Sequence, residues 1–139
     1  MDKQKLLSLL KKSSLCVLAT ANLDGKPEAA VMAYAINSNF EIYMFTEPTT
    51  RKWQNILRCP RVALVVGGTN DDPEIQLDGT CVGLTDKERT SIPQYVLSVH
   101  PEWKDYFSSP TGEWIKVVPS WARYSDFSRD PLKIVEMYL

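Results

Sequence analysis

The stretch from Thr46 to Pro60, T-E-P-T-T-R-K-W-Q-N-I-L-R-C-P, constrains the chain more than any other. Phe40 to Phe45 alternates as a strand does, and Pro48 stops it. Thr49 or Thr50 then caps a helix whose apolar positions Trp53, Ile56 and Leu57 recur at three and four residues, and Pro60 ends that helix. A strand end therefore turns directly into a helix start, where free backbone N–H groups, two or three hydroxyls and the cations Arg51 and Lys52 converge on one point. Cations in a first turn oppose the helix dipole by about 0.3–1 kcal/mol, so their placement favours a bound anion. A phosphate monoester fits such a corner best. The plainer alternative is a threonine-capped surface helix with two solvated cations.

In chain order, residues 2–12 read as an amphipathic helix with Leu6, Leu7, Leu9 and Leu10 on a broad face that lids the core. Leu15 to Asn22 is an apolar, β-branched run ending at Asp24-Gly25, a strong hairpin signal, and Glu28 to Ile36 returns as its partner strand. Asn37-Ser38-Asn39 makes a second tight connection, after which Phe40, Ile42 and Met44 share one face of a third strand, completing an antiparallel meander. Arg61 to Val66 is apolar on both faces, as in a central strand. After a polar loop from Gly67 to Pro73, Glu74 to Leu84 reads as a long strand with Glu74, Gln76, Asp78 and Thr80 on one face and bulge points at Gly79 and Gly83. Thr85 and Glu88 have capping-box spacing, and Pro93 and Pro101 break the helical segment that follows. Glu113 to Val118 alternates, Pro119 interrupts, and Trp121 to Phe127 continues extended; Leu132 to Tyr138 suits a strand or a short helix. Five to seven strands with helices at two corners predict a mainly β, α+β domain over residues 1–139, a small closed or split antiparallel barrel.

Composition narrows the function classes. Lys plus Arg (16) nearly cancels Asp plus Glu (17), so no global field draws the chain to nucleic acid or an acidic membrane, and any anion site is local. Cys16, Cys59 and Cys81 are odd in number and widely spaced, as for reduced thiols in a cytoplasmic protein. One histidine, His100, cannot supply a zinc cluster, so no metal site is expected. No window reaches the roughly 18 apolar residues of a membrane span.

The segments L-C-V-L-A-T-A-N-L-D-G-K-P, M-F-T-E-P-T-T-R-K-W-Q-N-I-L-R-C-P-R-V-A-L-V-V and E-I-Q-L-D-G-T-C-V-G-L-T together resemble the pyridoxamine-phosphate-oxidase-like, FMN-binding split-barrel family. The resemblance implies a six-stranded antiparallel split β-barrel that dimerises two-fold, with FMN at two interface sites. It further implies that Arg51 and Lys52 clamp the flavin phosphate beside Thr46 and Thr50. Ala30, Val31, Met32 and Ala33 would run along the isoalloxazine ring, and Gln76, preferred over Glu74, would stand near its glutamine position. The family's vitamin-oxidising members carry R-x-H near the C-terminus; here the zone reads W-A-R-Y-S-D-F, which points to the stress-protein and flavin-reductase-like branches instead. Trp121 and Arg123 share a face and could stack on flavin or meet an anionic substrate, or form a barrel-edge or dimer contact. His100 could be a proton donor or haem ligand, or a surface cap. Two function classes stay open: a flavin-dependent oxidoreductase drawing on reduced nicotinamide or a small-molecule substrate, and a non-catalytic binder of flavin, haem or a deazaflavin.

Overall fold

The computed structural model describes residues 1–69 and 71–139; Asn70, inside the expected polar loop, lies outside the described residues. One antiparallel sheet contains β1 (Leu15–Ala21), β2 (Pro27–Ala33), β3 (Ala35–Ile36), β4 (Ile42–Thr46), β5 (Arg61–Gly67), β6 (Glu74–Val82), β7 (Glu113–Asp126) and β8 (Lys133–Tyr138). Helices α1 (Lys3–Lys12), α2 (Arg51–Arg58) and α3 (Asp86–Val99) interrupt it. The strand order is β2-β1-β5-β6-β7-β4-β3, with β8 beside β7. This is the expected split barrel, built from eight strand runs rather than six. The expected second strand breaks in two, and the undecided C-terminal segment is a strand.

That break overturns the expected meander. β2 pairs with β1 along its whole length, from Leu15↔Ala33 to Ala21↔Pro27. At Tyr34 the chain leaves that pairing, and Ala35 and Ile36 pair with Tyr43 and Ile42 of β4 instead. The Tyr34 ring is buried; its hydroxyl donates to the Leu10 carbonyl at 2.6 Å and its N–H to the Ser14 carbonyl at 2.9 Å. A buried tyrosine with both its hydroxyl and its backbone N–H satisfied fixes the departure point. β2 is thereby left at an edge of the sheet, with one row of backbone groups unpaired by any strand among the described residues.

β7 is the long spine. Its first half pairs with β4 from Glu113 to Val117, and its second half with β8 from Trp121 to Asp126. Pro119, expected to interrupt the strand, falls in the gap between those two partners, so neither ladder requires its missing N–H, and the strand runs through. Opposite it the register with β6 slips at Asp78/Gly79, the predicted bulge. A Cβ on Gly79 would lie 2.8 Å from Val117 Cγ1 and 3.0 Å from the Val118 carbonyl oxygen, so only glycine admits β7 that closely. Leu18, Met44, Leu64, Leu77, Ile115 and Val117 fill the interior, and Leu6, Leu7 and Leu10 of α1 cover it as predicted.

Pro93 does not break α3, which runs through it to Val99. Removing one N–H costs one intrahelical bond, whereas Ile92 and Val96 bury against Ala35 and Tyr43, and the Thr85–Glu88 capping box secures the start. An ion cluster adds to this: Lys116 of β7 places its Nζ 2.7 Å from Glu41 Oε2 and 2.6 Å from Glu88 Oε2, tying the first turn of α3 to the barrel. Hydrogen bonds from Lys116 hold both carboxyls below the usual carboxylate range, and the two carboxylates push the lysine up to about 12. The carboxylate contribution is present at neutral pH and lost as pH falls through their depressed values. The lysine contribution is complete below its ordinary value of 10.5 and lost as pH rises through about 12. Lys116→Met is expected to cost about 1–2 kcal/mol at neutral pH, because it leaves two carboxylates facing each other unpaired. Protonation relieves that repulsion, so urea titrations should show a smaller loss in acid than at neutrality; equal losses at both would contradict the assignment.

Candidate functional site

Of the two threonines that could cap α2, Thr50 does so. Its Oγ1 accepts from the Trp53 N–H at 3.4 Å, donates to the Glu47 carbonyl at 2.8 Å, and lies 3.2 Å from the Oγ1 of buried Thr46 at the end of β4. Thr46 thus braces the cap from behind. The backbone N–H groups of Arg51 and Lys52 have no protein acceptor among the described residues, as expected for a first helical turn. Ile56 buries into the core and Trp53 packs partly against it, but Leu57, expected on the same apolar face, is exposed. Only one side of this short helix meets the barrel, and Leu57 lies off it.

α2 rests on β1, and this carries its first turn to the inner side of the β1–β2 pair. There Thr20, Ala29 and Ala30 on the strands and Thr50, Arg51 and Lys52 on the helix line a pocket of about 300 Å³. Ala30 turns only a methyl into the pocket, and Ala29, whose methyl lies on the opposite face, lines it with backbone, so the strand wall stays open. Two residues unnoticed in the sequence complete it. Buried Asn55 donates from Nδ2 to Thr20 Oγ1 at 3.0 Å and to Glu28 Oε2 at 3.2 Å, and Glu28 Oε1 accepts from Arg51 Nε at 3.1 Å. Both had a signal. Glu28 alternates with Ala30 and Met32 on the inward face of β2, and Asn55 stands one turn after Arg51. A carboxylate thus rests on the Arg51 guanidinium, through Nε alone.

The other predicted ligands divide. Ala30 faces the pocket, while Met32 points into the core. Val31 and Ala33, alternating with them, lie on the opposite face of the sheet, so along this strand only their backbone edge is available to a ligand near the pocket. Gln76 and Arg123 are register partners on β6 and β7, with Trp121 two residues away on the same face. Along the sheet Gln76 lies three strand steps, and Trp121 and Arg123 four, from β2. Within one chain Gln76, Trp121 and Arg123 thus lie on strands that do not adjoin β2. Gln76 Nε2 donates to Glu74 Oε1 at 2.6 Å. Arg123 has Nε buried without an acceptor among the described residues and Nη1 3.8 Å from Glu136 Oε1.

Two further places carry less chemistry. A larger cavity of about 420 Å³ lies beside α2, between Trp53, Leu57, Leu84 and Trp114, and includes Cys81. Burial pushes that thiol up to about 12, which leaves it a poor nucleophile. His100 is the C-cap of α3, stacks on Trp103 with ring centroids 3.8 Å apart and sets Nδ1 3.2 Å from Glu102 Oε1. Among the described residues no three His, Cys, Asp or Glu side chains gather as a metal site, and no helix is long and apolar enough to cross a membrane.

Known proteins share this architecture. General stress protein 26 from Bacillus anthracis superposes with a TM-score of 0.71 at 21% identity, covering 97% of this chain and 98% of that one. A pyridoxamine 5'-phosphate oxidase-related, FMN-binding protein from Nostoc punctiforme gives 0.70 at 11% identity, covering 99% and 96%. A heme-binding protein from Mycobacterium smegmatis gives 0.77 at 14% identity; 94% of this chain spans 55% of that longer one. At such identities the likeness is one of fold. No curated protein sequence matches the chain. The sequence-family model described as pyridoxamine 5'-phosphate oxidase matches residues 2–126, and with nearly the whole barrel inside that match the chain belongs to the pyridoxamine 5'-phosphate oxidase family.

Proposed function

We propose that the protein binds FMN as a homodimer and acts as a flavin-dependent oxidoreductase on a small-molecule substrate or reduced nicotinamide. The observation that carries this is the corner itself: Thr50, Arg51 and Lys52 at the start of α2, opposite the small residues Ala29 and Ala30 across a pocket of about 300 Å³. Arg51 and Lys52 would hold the phosphate with the first-turn N–H groups, and the free backbone edge of β2 along Ala30 to Ala33 would meet the polar edge of the ring. Bound flavin supplies hydride acceptance, while the chain supplies position, charge and shelter from water.

A second copy would complete the site. On the outer face of the sheet, Val31, Val17 and Val65 form one transverse row and Ala29, Ala19 and Ala63 the next. Val31 is 69% exposed. This apolar half adjoins a polar half bearing Gln76, Trp121 and Arg123, so a two-fold pairing over this face would carry those side chains toward the other protomer's corner. The buried, unpartnered Arg123 Nε is a donor suited to that role. The three cysteines are free, which supports a cytoplasmic location. One observation favours a non-catalytic carrier as the second reading: Glu28 is the acid on the pocket wall, and Arg51 and Asn55 occupy both its oxygens.

Purified protein should be yellow and release FMN on denaturation, and consumption of reduced nicotinamide by the yellow protein separates enzyme from carrier. A Soret band in place of the flavin spectrum would overturn the cofactor assignment. Replacing Arg51 and Lys52 together by alanine should weaken FMN binding by roughly one to two decades for each charged hydrogen bond lost, with circular dichroism unchanged. Retained flavin in that variant would refute the phosphate seat. Val31→Asp should yield a monomer by light scattering and lose flavin with the dimer; a flavin-loaded monomer would show that the site is complete in one chain.

A further inference from the structure

Glu28 is a carboxylate on the wall of a corner built from cations, and seating a phosphate does not call for it. It stands on the inward face of edge strand β2, opposite Thr20. Its side chain is 17% exposed, whereas that of Arg51 is 78% exposed. Asn55, itself buried and bonded to Thr20, anchors one oxygen of Glu28, and Arg51 Nε reaches over to the other. The acid is therefore the fixed member of the ion pair and the arginine the adjustable one. On the guanidinium, Glu28 fills a position that a phosphate oxygen would need.

We propose that Glu28 is an internal competitor for Arg51, setting how tightly the corner holds a phosphate and how strongly it selects for charge. This rests on the reading of the corner as the flavin phosphate seat. With Glu28 ionised, Arg51, Lys52 and Glu28 sum to one positive charge rather than two. An arriving phosphate must draw Arg51 from Glu28 and then remain close to that carboxylate, which stays bonded to Asn55. The repulsion falls on a phosphorylated tail and spares an uncharged one. The site consequently holds FMN less tightly, and prefers it over riboflavin less, than its two cations alone would dictate.

The test is a double-mutant cycle read by flavin fluorescence quenching, titrating FMN and riboflavin into wild type, Glu28→Gln, Arg51→Ala and the double variant. The Glu28→Gln substitution keeps an oxygen for Asn55 and removes both the charge and the acceptor that faces Arg51. The expected result is FMN binding about tenfold tighter in Glu28→Gln, riboflavin changed by less than about threefold, and most of the gain lost in the Arg51→Ala background. Inorganic phosphate should also displace FMN at lower concentration from Glu28→Gln than from wild type. An FMN-to-riboflavin preference that is unchanged or reduced in Glu28→Gln, while Arg51→Ala reduces it, overturns the competitor role and leaves the phosphate seat standing. A preference that Arg51→Ala leaves untouched shows instead that the seat is wrong. If Glu28→Gln does not fold, Glu28→Ala must move the preference in the same direction, and its failure to do so counts equally against the proposal.

Discussion

Tyr34 holds the barrel open. Its hydroxyl on the Leu10 carbonyl and its N–H on the Ser14 carbonyl pull the chain out of the β1–β2 ladder just as the next residues join β4. Had pairing continued, the meander would have placed β4 beside β2 and used up its second row of backbone groups. An unpaired edge is ordinarily a liability, because it templates pairing with other chains. Here the edge lies beside the start of α2, so the same break that splits the barrel leaves backbone donors and acceptors next to two cations.

The molecule handles its cations in two opposite ways. Lys116 lies under two carboxylates within 2.7 Å, largely shielded, and fastens α3 to the sheet. A charge so fully answered has nothing left for a ligand. Arg51 meets only one carboxylate, from the solvent side, and Lys52 enters no ion pair among the described residues. Surface pairs of this kind contribute little to stability, so Arg51 can change partners at small cost. That difference in compensation, rather than any difference in residue type, separates a staple from a corner with charge to spare.

Much was legible in advance because it is local. The Thr50 cap, the Asp24-Gly25 turn, the Thr85–Glu88 capping box and the Gly79 bulge each follow from a few adjacent residues and the backbone angles or hydrogen bonds they impose. What misled were the prolines and the long second strand. Pro93 and Pro119 read as breaks because their intrinsic penalty is local too; burial of Ile92 and Val96, and a changeover of partner strands, outweighed it in the folded chain. The break at Tyr34 carries no turn residue and depends on a carbonyl from a helix 24 residues away.

At the corner the division is the same. Thr50, Arg51 and Lys52 are consecutive, so the sequence alone determined that two cations follow a helix cap. Glu28 and Asn55 come from other parts of the chain, and only the packing of α2 on the β1–β2 pair put a carboxylate on the guanidinium. The distance of Gln76, Trp121 and Arg123 from that corner was likewise decided by strand order, which depends on long-range pairing that a linear pattern of side chains does not encode.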